Sequence, residues 1–534
     1  MTQRSTSSHR SPRPGGERAW QRAATVAAAW TSLLTAVSRA SQLVSQLVLA
    51  WLLVPEDFGV VGLAYTVMMF VWLLRQAGIM PWLIQRERRL ERWAGPAGWM
   101  SLAIGLASAG ATAAAAPWVG EFYRQPRVVG VLWVLALGLP LESLAVVPRA
   151  ALQARLRFRP LALIDGGGAL GAGALSIALA WWGWGVYSFV LPRVVVAAVS
   201  LPLMWSASGL SWRRGPAWGR WKYLAAGMGW ITAGGLAIQL INQGDYIVLG
   251  RVADEATVGR YYLAFMIASQ TMTLLTVNLG LVLMPALSRY RSEPARQAAM
   301  FMKFQETMAV VAVPLCLTLS VCAGPLVAAL LGPAWSGAGP MLAWLAAGMA
   351  FRMLAVNTHH YLQAAGRWSA FFWLNLGHGL LFIVTCAVAW RLGGVMGMTQ
   401  GVAGFFVVYG LTQGWLSLPG PAVARAAGVL RVYGAGMVVA LPGLAGVGLL
   451  MQSPWLGDVG PVGSVAWRVA VMLGLWLAAL RWARPREWER LRERAASVVG
   501  GRGGSDKLPD PRGPEAMVDK PGGERPPASE HHDR

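Results

Sequence analysis

Charged residues are scarce in this chain: Asp, Glu, Lys and Arg make up 13% of its 534 residues, while 55% are hydrophobic. A water-soluble domain carries about 25% charged residues, so this chain has too few to cover a surface that faces water. Apolar runs of about 20 residues, the length that a bilayer core demands, recur along almost the whole sequence. The composition predicts a polytopic helical membrane protein and excludes a β-barrel, whose strands are short and alternate.

Acidic residues are the scarcer of the charged ones. The chain has 24 Asp and Glu against 46 Lys and Arg, which gives a formal net charge of +22. In a soluble protein such an excess indicates nucleic-acid binding. In a membrane protein, arginine instead marks cytoplasmic loops and binds anionic lipid headgroups. We therefore expect anionic membrane lipids as partners and no nucleic acid.

The patterns of catalytic and metal sites are also missing. The three cysteines, Cys316, Cys322 and Cys386, lie in apolar runs without metal-ligand spacing, as small packing residues do. The sequence has no phosphate-binding loop for ATP and no large domain between its apolar runs. We predict that the chain is not an enzyme and uses no metal and no cofactor.

Hydrophobic runs predict fourteen membrane spans. Their approximate limits are 27–54, 59–85, 97–119, 128–150, 161–181, 185–207, 224–250, 257–287, 304–331, 338–364, 369–390, 394–416, 432–452 and 464–482. Loops after even-numbered spans carry nineteen positive residues, and loops after odd-numbered spans carry six. Because positive residues favour the cytoplasmic side, the even loops and both termini are predicted to be cytoplasmic.

One pattern repeats after 200 residues. Each copy follows a short turn with acidic residues and opens a long apolar helix. The recurring residues are Gly59, Leu63 and Ala64 in the first half and Gly259, Leu263 and Ala264 in the second. A period this long indicates duplicated lobes rather than a solenoid, and duplicated lobes are a common plan of membrane transporters.

Five stretches carry a resemblance to a known family. They are LLVPEDFGVVGLA at 52–64, LRFRPLALID at 156–165, WGWGVYSFV at 182–190, GDYIVLGRVADEATVGRYYLA at 244–264 and MPALSRY at 284–290. In order and spacing they are similar to stretches of the polysaccharide flippases. These are the O-antigen and exopolysaccharide exporters of the multidrug/oligosaccharidyl-lipid/polysaccharide superfamily, and the resemblance covers roughly residues 27–450.

The resemblance implies an all-α fold of about 14 transmembrane helices, in two pseudo-symmetric six-helix lobes plus two C-terminal helices. The implied parts are a basic cytoplasmic tail at 1–26, an N-lobe at 27–207 (spans 1 to 6), a cytoplasmic linker at 208–223, a C-lobe at 224–416 (spans 7 to 12), spans 13 and 14 at 417–482, and a largely disordered cytoplasmic tail at 483–534. It also implies transfer of a lipid-pyrophosphate-linked oligosaccharide across the inner membrane.

Ionisable groups inside the predicted spans are few, and a charge in a bilayer core usually faces a cavity or a partner. Arg352 lies near the middle of span 10 and shares a helical face with His359 and Gln363. A guanidinium stays charged and offers a fork of donors, so Arg352 suits a pyrophosphate group; a structural ion pair is the alternative. Arg75 in span 2 and Arg193 in span 6 are further candidates for substrate contact, with pairing or interfacial anchoring as the alternative.

Acidic and amide groups complete the candidate site. Glu142, Asp165 and Asp245 are candidates for ion coupling or ion pairing. Pairing is favoured for Glu142, and capping or interfacial solvation for the other two, which lie near span ends. A stripe on one face of span 7 would line a sugar path or bond across helices. Its substrate-binding candidates are Gln239, Asn242 and Gln243.

With the resemblance, these residues predict a flippase that works by alternating access in exopolysaccharide or lipopolysaccharide O-antigen biosynthesis. Its expected partners are a polyprenyl-pyrophosphate-linked oligosaccharide and polysaccharide polymerase or assembly proteins. The first alternative is a drug or metabolite antiporter of the same superfamily, which would prefer acidic residues for its cationic substrates. The second is a membrane-embedded polymerase or glycosyltransferase, which would need catalytic carboxylates on a large loop.

The fourteen-span topology predicts the side of the membrane that each loop faces. Single cysteines at Asp254 and Arg155 should react from opposite sides, because Asp254 follows an odd-numbered span and Arg155 an even-numbered one. Labelling intact cells with a membrane-impermeant thiol reagent checks this, and Asp254 alone should react from outside. Reaction of both positions from one side would overturn the span count.

Overall fold

The computed structural model describes residues 38–76, 79–84, 90–155, 157–210, 229–453 and 459–483, with a few single positions besides. The predicted tail at 1–26, the start of predicted span 1, most of the predicted linker at 208–223 and nearly all of the tail at 483–534 lie outside these residues. All regular secondary structure in the described ranges is helical. This confirms the predicted all-α fold.

The helices are numbered in chain order. They are α1 (38–52), α2 (Pro55–Gln76), α3 (Ile79–Ile84), α4 (Leu90–Tyr123), α5 (Pro126–Leu144), α6 (Val146–Ala154), α7 (Phe158–Trp181), α8 (Tyr187–Ser208), α9 (Gly229–Val252), α10 (Glu255–Ser288), α11 (Pro294–Leu330), α12 (Ala338–Ala364), α13 (Trp368–Ser417), α14 (Ala422–Leu450) and α15 (Pro461–Ala483). A short 3₁₀ helix, Pro333–Trp335, precedes α12.

Most of these helices suit a bilayer. Within the described residues, ten helical segments are both long and apolar enough to cross a membrane. α13 is one of the ten, but it consists of two helices joined by a kink, because Gly393 and Gly394 leave the helical conformation. The φ of Gly394 is +58°, which glycine adopts without steric penalty. The kink falls where the sequence places the boundary between spans 11 and 12.

The helices pack as two groups that α2 joins. In the first group, α5 packs against α2, α4 and α8, and α7 packs against α8. In the second, α12 packs against α10, α11 and α13, and α9 packs against α13. α2 also lies against α9 and α10, so it forms most of the contact between the groups. The described residues from 38 to 479 form one compact unit; the lobe limits at 207 and 224 stay predictions.

The repeat found in the sequence lies at the crossing of α2 and α10. A Cβ atom on Gly259 would lie 1.7 Å from the carbonyl oxygen of Pro55, and one on Gly59 would lie 2.1 Å from that of Glu255. Each glycine therefore faces the first turn of the other helix, a reciprocal contact of the kind that two-fold symmetry produces. The leucines and alanines of the repeat are buried beside this crossing as well. The repeated residues are thus those that let the two lobes approach closely.

This close crossing makes Gly259 sensitive to a single methyl group. Gly259→Ala should lower the melting temperature of the detergent-purified protein, because α2 and α10 must separate, with a loss of about 1–3 kcal/mol. Gly110 in α4 has nothing within 4 Å of the position of a Cβ, so Gly110→Ala is the matched control and should be neutral or stabilising. Equal melting temperatures for the two variants would show that the crossing tolerates separation.

Candidate functional site

Two arginines and one glutamate from three helices meet inside the first group of helices. Glu142 on α5 accepts a hydrogen bond from Nε of Arg193 on α8, at 2.7 Å from its Oε1. Its other oxygen, Oε2, lies 2.9 Å from Nη2 of Arg75 at the end of α2. Glu142 therefore bridges two guanidinium groups. We call Arg75, Glu142 and Arg193 the arginine cluster.

Aromatic rings of α2 pack against Arg193, the more exposed of the two arginines. The Cζ atom of Arg193 lies 3.8 Å from the centroid of the Trp72 ring, a cation–π arrangement. The Trp72 ring in turn contacts that of Tyr65, with centroids 5.8 Å apart. Stacking fixes the plane of the guanidinium while its edge, which carries the N–H donors, stays available to an anion.

Arg193 is the most accessible member of the cluster, and its position on α8 differs from that of the exposed apolar residues. The side chain of Arg193 is 40% exposed. The large exposed apolar residues of α8, Val195, Val199 and Leu203, lie about 200–280° around the helix from Arg193 at 100° per residue. These apolar residues mark the side of α8 that suits lipid. Arg193 is therefore about 80–160° away from these residues around the helix, outside their apolar stripe.

Arg75 is more buried than Arg193, and two of its N–H groups are not used in hydrogen bonds to described residues. Its side chain is 8% exposed, and that of Glu142 is 16% exposed. Among the described residues, Nε and Nη1 of Arg75 have no hydrogen-bond partner. A buried guanidinium with two unused donors is unfavourable unless something binds it, so the cluster can bind a further anion.

The second group of helices holds Arg352 in a chain of hydrogen bonds. Nη2 of Arg352 donates to Oδ1 of Asn242 at 2.5 Å, and Nδ2 of Asn242 donates to Oε1 of Gln239 at 2.7 Å. Nε2 of Gln239 then donates to the carbonyl oxygen of Met69 on α2, at 3.2 Å. The chain thus runs from α12 through α9 to the helix that carries Trp72 and Arg75.

Arg352 is more enclosed than its position in the sequence suggests. It is 5% exposed, and its Cζ lies 4.8 Å from the ring centroid of Phe406 and 5.4 Å from that of Phe265. Within the described part of the chain, Nη1 of Arg352 has no hydrogen-bond partner. Arg352 therefore combines a structural contact, to Asn242, with one spare donor.

The other predicted residues of the C-lobe do not join Arg352. His359 is buried, and its Nε2 lies 2.9 Å from the hydroxyl of Tyr409. Gln363 and Gln243 are partly exposed and lie outside the hydrogen-bond chain of Arg352. Among the described residues, Arg352, His359 and Gln363 therefore share no hydrogen-bond chain, and their common role in substrate binding stays a prediction.

The structure pairs one candidate carboxylate and corrects the interpretation of another. Asp165 forms a bidentate pair with Arg149, at 2.6 and 2.9 Å, which is the ion pairing that the sequence analysis left open for it. Asp245 is not solvated at a helix end: it is fully buried and accepts a hydrogen bond from the hydroxyl of Tyr261 at 2.8 Å. Asp245 differs from the prediction because its partner comes from another helix, whose position a spacing along one helix does not reveal.

Arg127, which no sequence pattern singled out, joins the two helix groups. It lies in the first turn of α5 and forms ion pairs with Asp57 of α2 and, at 3.1 Å, with Glu255 of α10. The acidic residues in the first turns of α2 and α10 could have indicated that a cation lies between them. Asp254 caps α10 beside this pair, and the hydrogen bond from Thr257 lowers the pKa of Asp254.

Comparison with known proteins places the chain in a family. A family model described as polysaccharide biosynthesis protein matches residues 48–340. The succinoglycan biosynthesis transport protein ExoT of Rhizobium meliloti (strain 1021) is 25% identical over 335 residues, covering 62% of this chain and 67% of that protein. The lipopolysaccharide biosynthesis protein WzxC of Escherichia coli (strain K12) is 22% identical over 382 residues, covering 70% of this chain and 76% of that protein.

A solved structure shares the fold. The lipid II flippase MurJ, in an inward closed conformation, aligns with a TM-score of 0.68 at 11% identity, covering 84% of this chain and 98% of that one. At this identity the likeness concerns the fold alone. Fold and site together define a polytopic helical membrane protein with a charged interior. The chain belongs to the polysaccharide biosynthesis protein family, whose model matches more than half of its length, and this confirms the family that the sequence motifs indicate.

The ion pairs of Arg127 predict a coupling between the two helix groups. Arg127→Gln should lower the melting temperature, because Asp57 and Glu255 then face each other without a counter-charge. Adding Glu255→Gln should recover part of the loss, with a coupling of about 1 kcal/mol in the double-mutant cycle. Arg296→Gln, which breaks the exposed pair with Glu293, is the control and should stay within about 0.5 kcal/mol. Strict additivity of Arg127→Gln and Glu255→Gln would contradict the coupling.

Proposed function

We propose that this protein is a transporter, not an enzyme, that moves a lipid-pyrophosphate-linked oligosaccharide from the cytoplasmic to the outer face of the inner membrane for polysaccharide biosynthesis. Membership of the polysaccharide biosynthesis family supports this function, as do the transport protein and lipopolysaccharide protein among its relatives. The observation that carries the proposal is the arginine cluster, in which Arg75 has two N–H donors without a partner among the described residues and the side chain of Arg193 is 40% exposed.

The substrate chemistry matches these donors. A pyrophosphate is an anion with several acceptor oxygens, and guanidinium groups bind such oxygens through paired hydrogen bonds. Arg75 and Arg193 would hold the pyrophosphate, while Arg352, Gln239 and Asn242 would present further donors beside α2. The prenyl chain would stay in the lipid, since burying it in a polar interior would gain nothing.

Alternating access needs an element that both lobes share, and α2 fits that role. It carries Arg75 of the arginine cluster and Trp72, which packs against Arg193. Its Met69 carbonyl accepts the hydrogen bond from Gln239 of the other helix group. We infer that a shift of α2 against α9 and α10 would change the site and the lobe contact together. The loop charges favour cytoplasmic termini, and the transport would be driven by an ion gradient or by consumption of the product.

The drug or metabolite antiporter is less compatible with these contacts. A cationic substrate needs a carboxylate that is free to bind it. Glu142 is engaged by two arginines, and Asp245 is fully buried and hydrogen-bonded to Tyr261. The spare hydrogen-bonding capacity of the site lies on the arginines, which favours an anionic substrate.

The experiment is complementation of a strain that lacks export of the corresponding polysaccharide. Arg193→Ala and Arg352→Ala should insert at normal levels and lose export, while Arg193→Lys should keep part of it because the charge remains without the donor fork. Arg149→Ala is the matched control, since it removes an arginine of an ion pair outside the cluster and should keep export. Membrane levels are checked by immunoblot.

Full export from Arg193→Ala at normal levels would overturn the assignment of the arginine cluster. Loss of the Arg352→Ala protein itself, with Arg193→Ala intact and inactive, would assign Arg352 to structure and leave the cluster as the anion site. Equal loss of export in Arg149→Ala would show that any missing arginine disables the protein, and it would remove the support for a specific site.

A further inference from the structure

The carboxylate of Glu142 lies between two arginines. Each of its two oxygens contacts a different arginine: Oε1 contacts Nε of Arg193 at 2.7 Å, and Oε2 contacts Nη2 of Arg75 at 2.9 Å. One small anion thus spans two guanidinium groups that belong to different helices, α8 and α2. A bridging phosphate group would span them in the same manner, with more oxygens.

Glu142 satisfies this site only in part. It uses Nε of Arg193 and so leaves the terminal fork of Nη1 and Nη2 outside the pair. On Arg75, Nε and Nη1 lack partners among the described residues, and Oε2 of Glu142 makes no well-aligned hydrogen bond although Nη2 lies close. Two positive charges against one negative charge leave the cluster with a net charge of +1. The site therefore has the charge and the donors to exchange Glu142 for a more highly charged anion.

We propose that Glu142 is an internal anion that occupies the substrate's pyrophosphate site between transport cycles and is displaced when the substrate binds. The inference rests on the proposed function, since it takes the pyrophosphate as the competing ligand. Two guanidinium groups inside a protein repel each other strongly without an anion between them. Glu142 supplies that anion when the site is empty, and its return would help to expel the pyrophosphate after the lobes have moved.

Competition between the Glu142 carboxylate and the pyrophosphate keeps the affinity of the two arginines for the pyrophosphate moderate. A transporter must bind its substrate well enough to load it and weakly enough to release it on the other side. If Glu142 were neutral, both arginines would be free for the pyrophosphate and release would slow. Glu142→Gln, which keeps the size and shape of the side chain, should therefore tighten anion binding while it lowers export.

The test measures binding of inorganic pyrophosphate to the purified full-length protein in detergent, by calorimetric titration and by the shift in melting temperature. Glu142→Gln should bind pyrophosphate about tenfold or more tightly than the unmodified protein, since one competing charge-assisted contact is lost. If Glu142→Gln melts at a lower temperature without ligand, pyrophosphate should restore the difference. Asp165→Asn, which removes the carboxylate of the Arg149 pair, is the matched control and should bind as the unmodified protein does.

The outcomes separate this inference from the proposed function. If Arg193→Ala loses pyrophosphate binding and Glu142→Gln binds no more tightly than the unmodified protein, the anion site stands, Glu142 is only a structural counter-charge and the inference fails. If Arg193→Ala and the unmodified protein bind pyrophosphate equally well, the site itself is wrong and the proposed function loses its support. Binding to Glu142→Gln with none detectable in the unmodified protein would support the inference; no binding to either would overturn it.

Discussion

A positive charge inside a membrane protein requires an anion or a strong acceptor nearby, and the polar interior of this protein follows from that requirement. Removing one member of a buried ion pair costs about 3–5 kcal/mol, so each internal arginine is tied to other helices. Arg75 and Arg193 share the carboxylate of Glu142. Arg149 has Asp165. Among the described residues, Arg352 donates to the neutral amide of Asn242, and the carboxylate of Asp245 interacts with it electrostatically. The number of arginines in the cluster exceeds the number of carboxylates, and that excess makes the interior suitable for an anionic lipid head.

Helix α2 connects three features that would otherwise be unrelated. Near its start it carries Asp57 and Gly59, which contact Arg127 and the first turn of α10. In its middle, the Met69 carbonyl accepts a hydrogen bond from Gln239. Its last turns carry Arg75 of the arginine cluster and Trp72, which packs against Arg193. A change at the anion site therefore has a rigid path to the contact between the lobes, because a helix transmits a displacement along its length.

The architecture could be predicted from the sequence to a large extent, and the site only in outline. Hydropathy locates the spans because a bilayer imposes one length on every crossing, and even the break at Gly393 and Gly394 falls between two predicted spans. The repeat of Gly59 and Gly259 was visible because close helix packing admits only glycine there. The sequence analysis selected Arg75, Glu142 and Arg193 one by one, as charges in apolar runs. It did not predict that the three side chains contact one another. They come from three helices, and no periodicity along one helix reports which helices are neighbours. The same reason explains why Arg127 was missed and why Asp245 was placed at a solvated end.

A structure determined by electron cryomicroscopy of the full-length protein in a lipid nanodisc, with a polyprenyl pyrophosphate added, tests whether an anion binds between Arg75 and Arg193 in place of the Glu142 carboxylate. Such an exchange predicts density for the pyrophosphate within hydrogen-bonding distance of both arginines, with the Glu142 side chain rotated away from them. Pyrophosphate density elsewhere in the protein, with Glu142 still bridging Arg75 and Arg193, would contradict it.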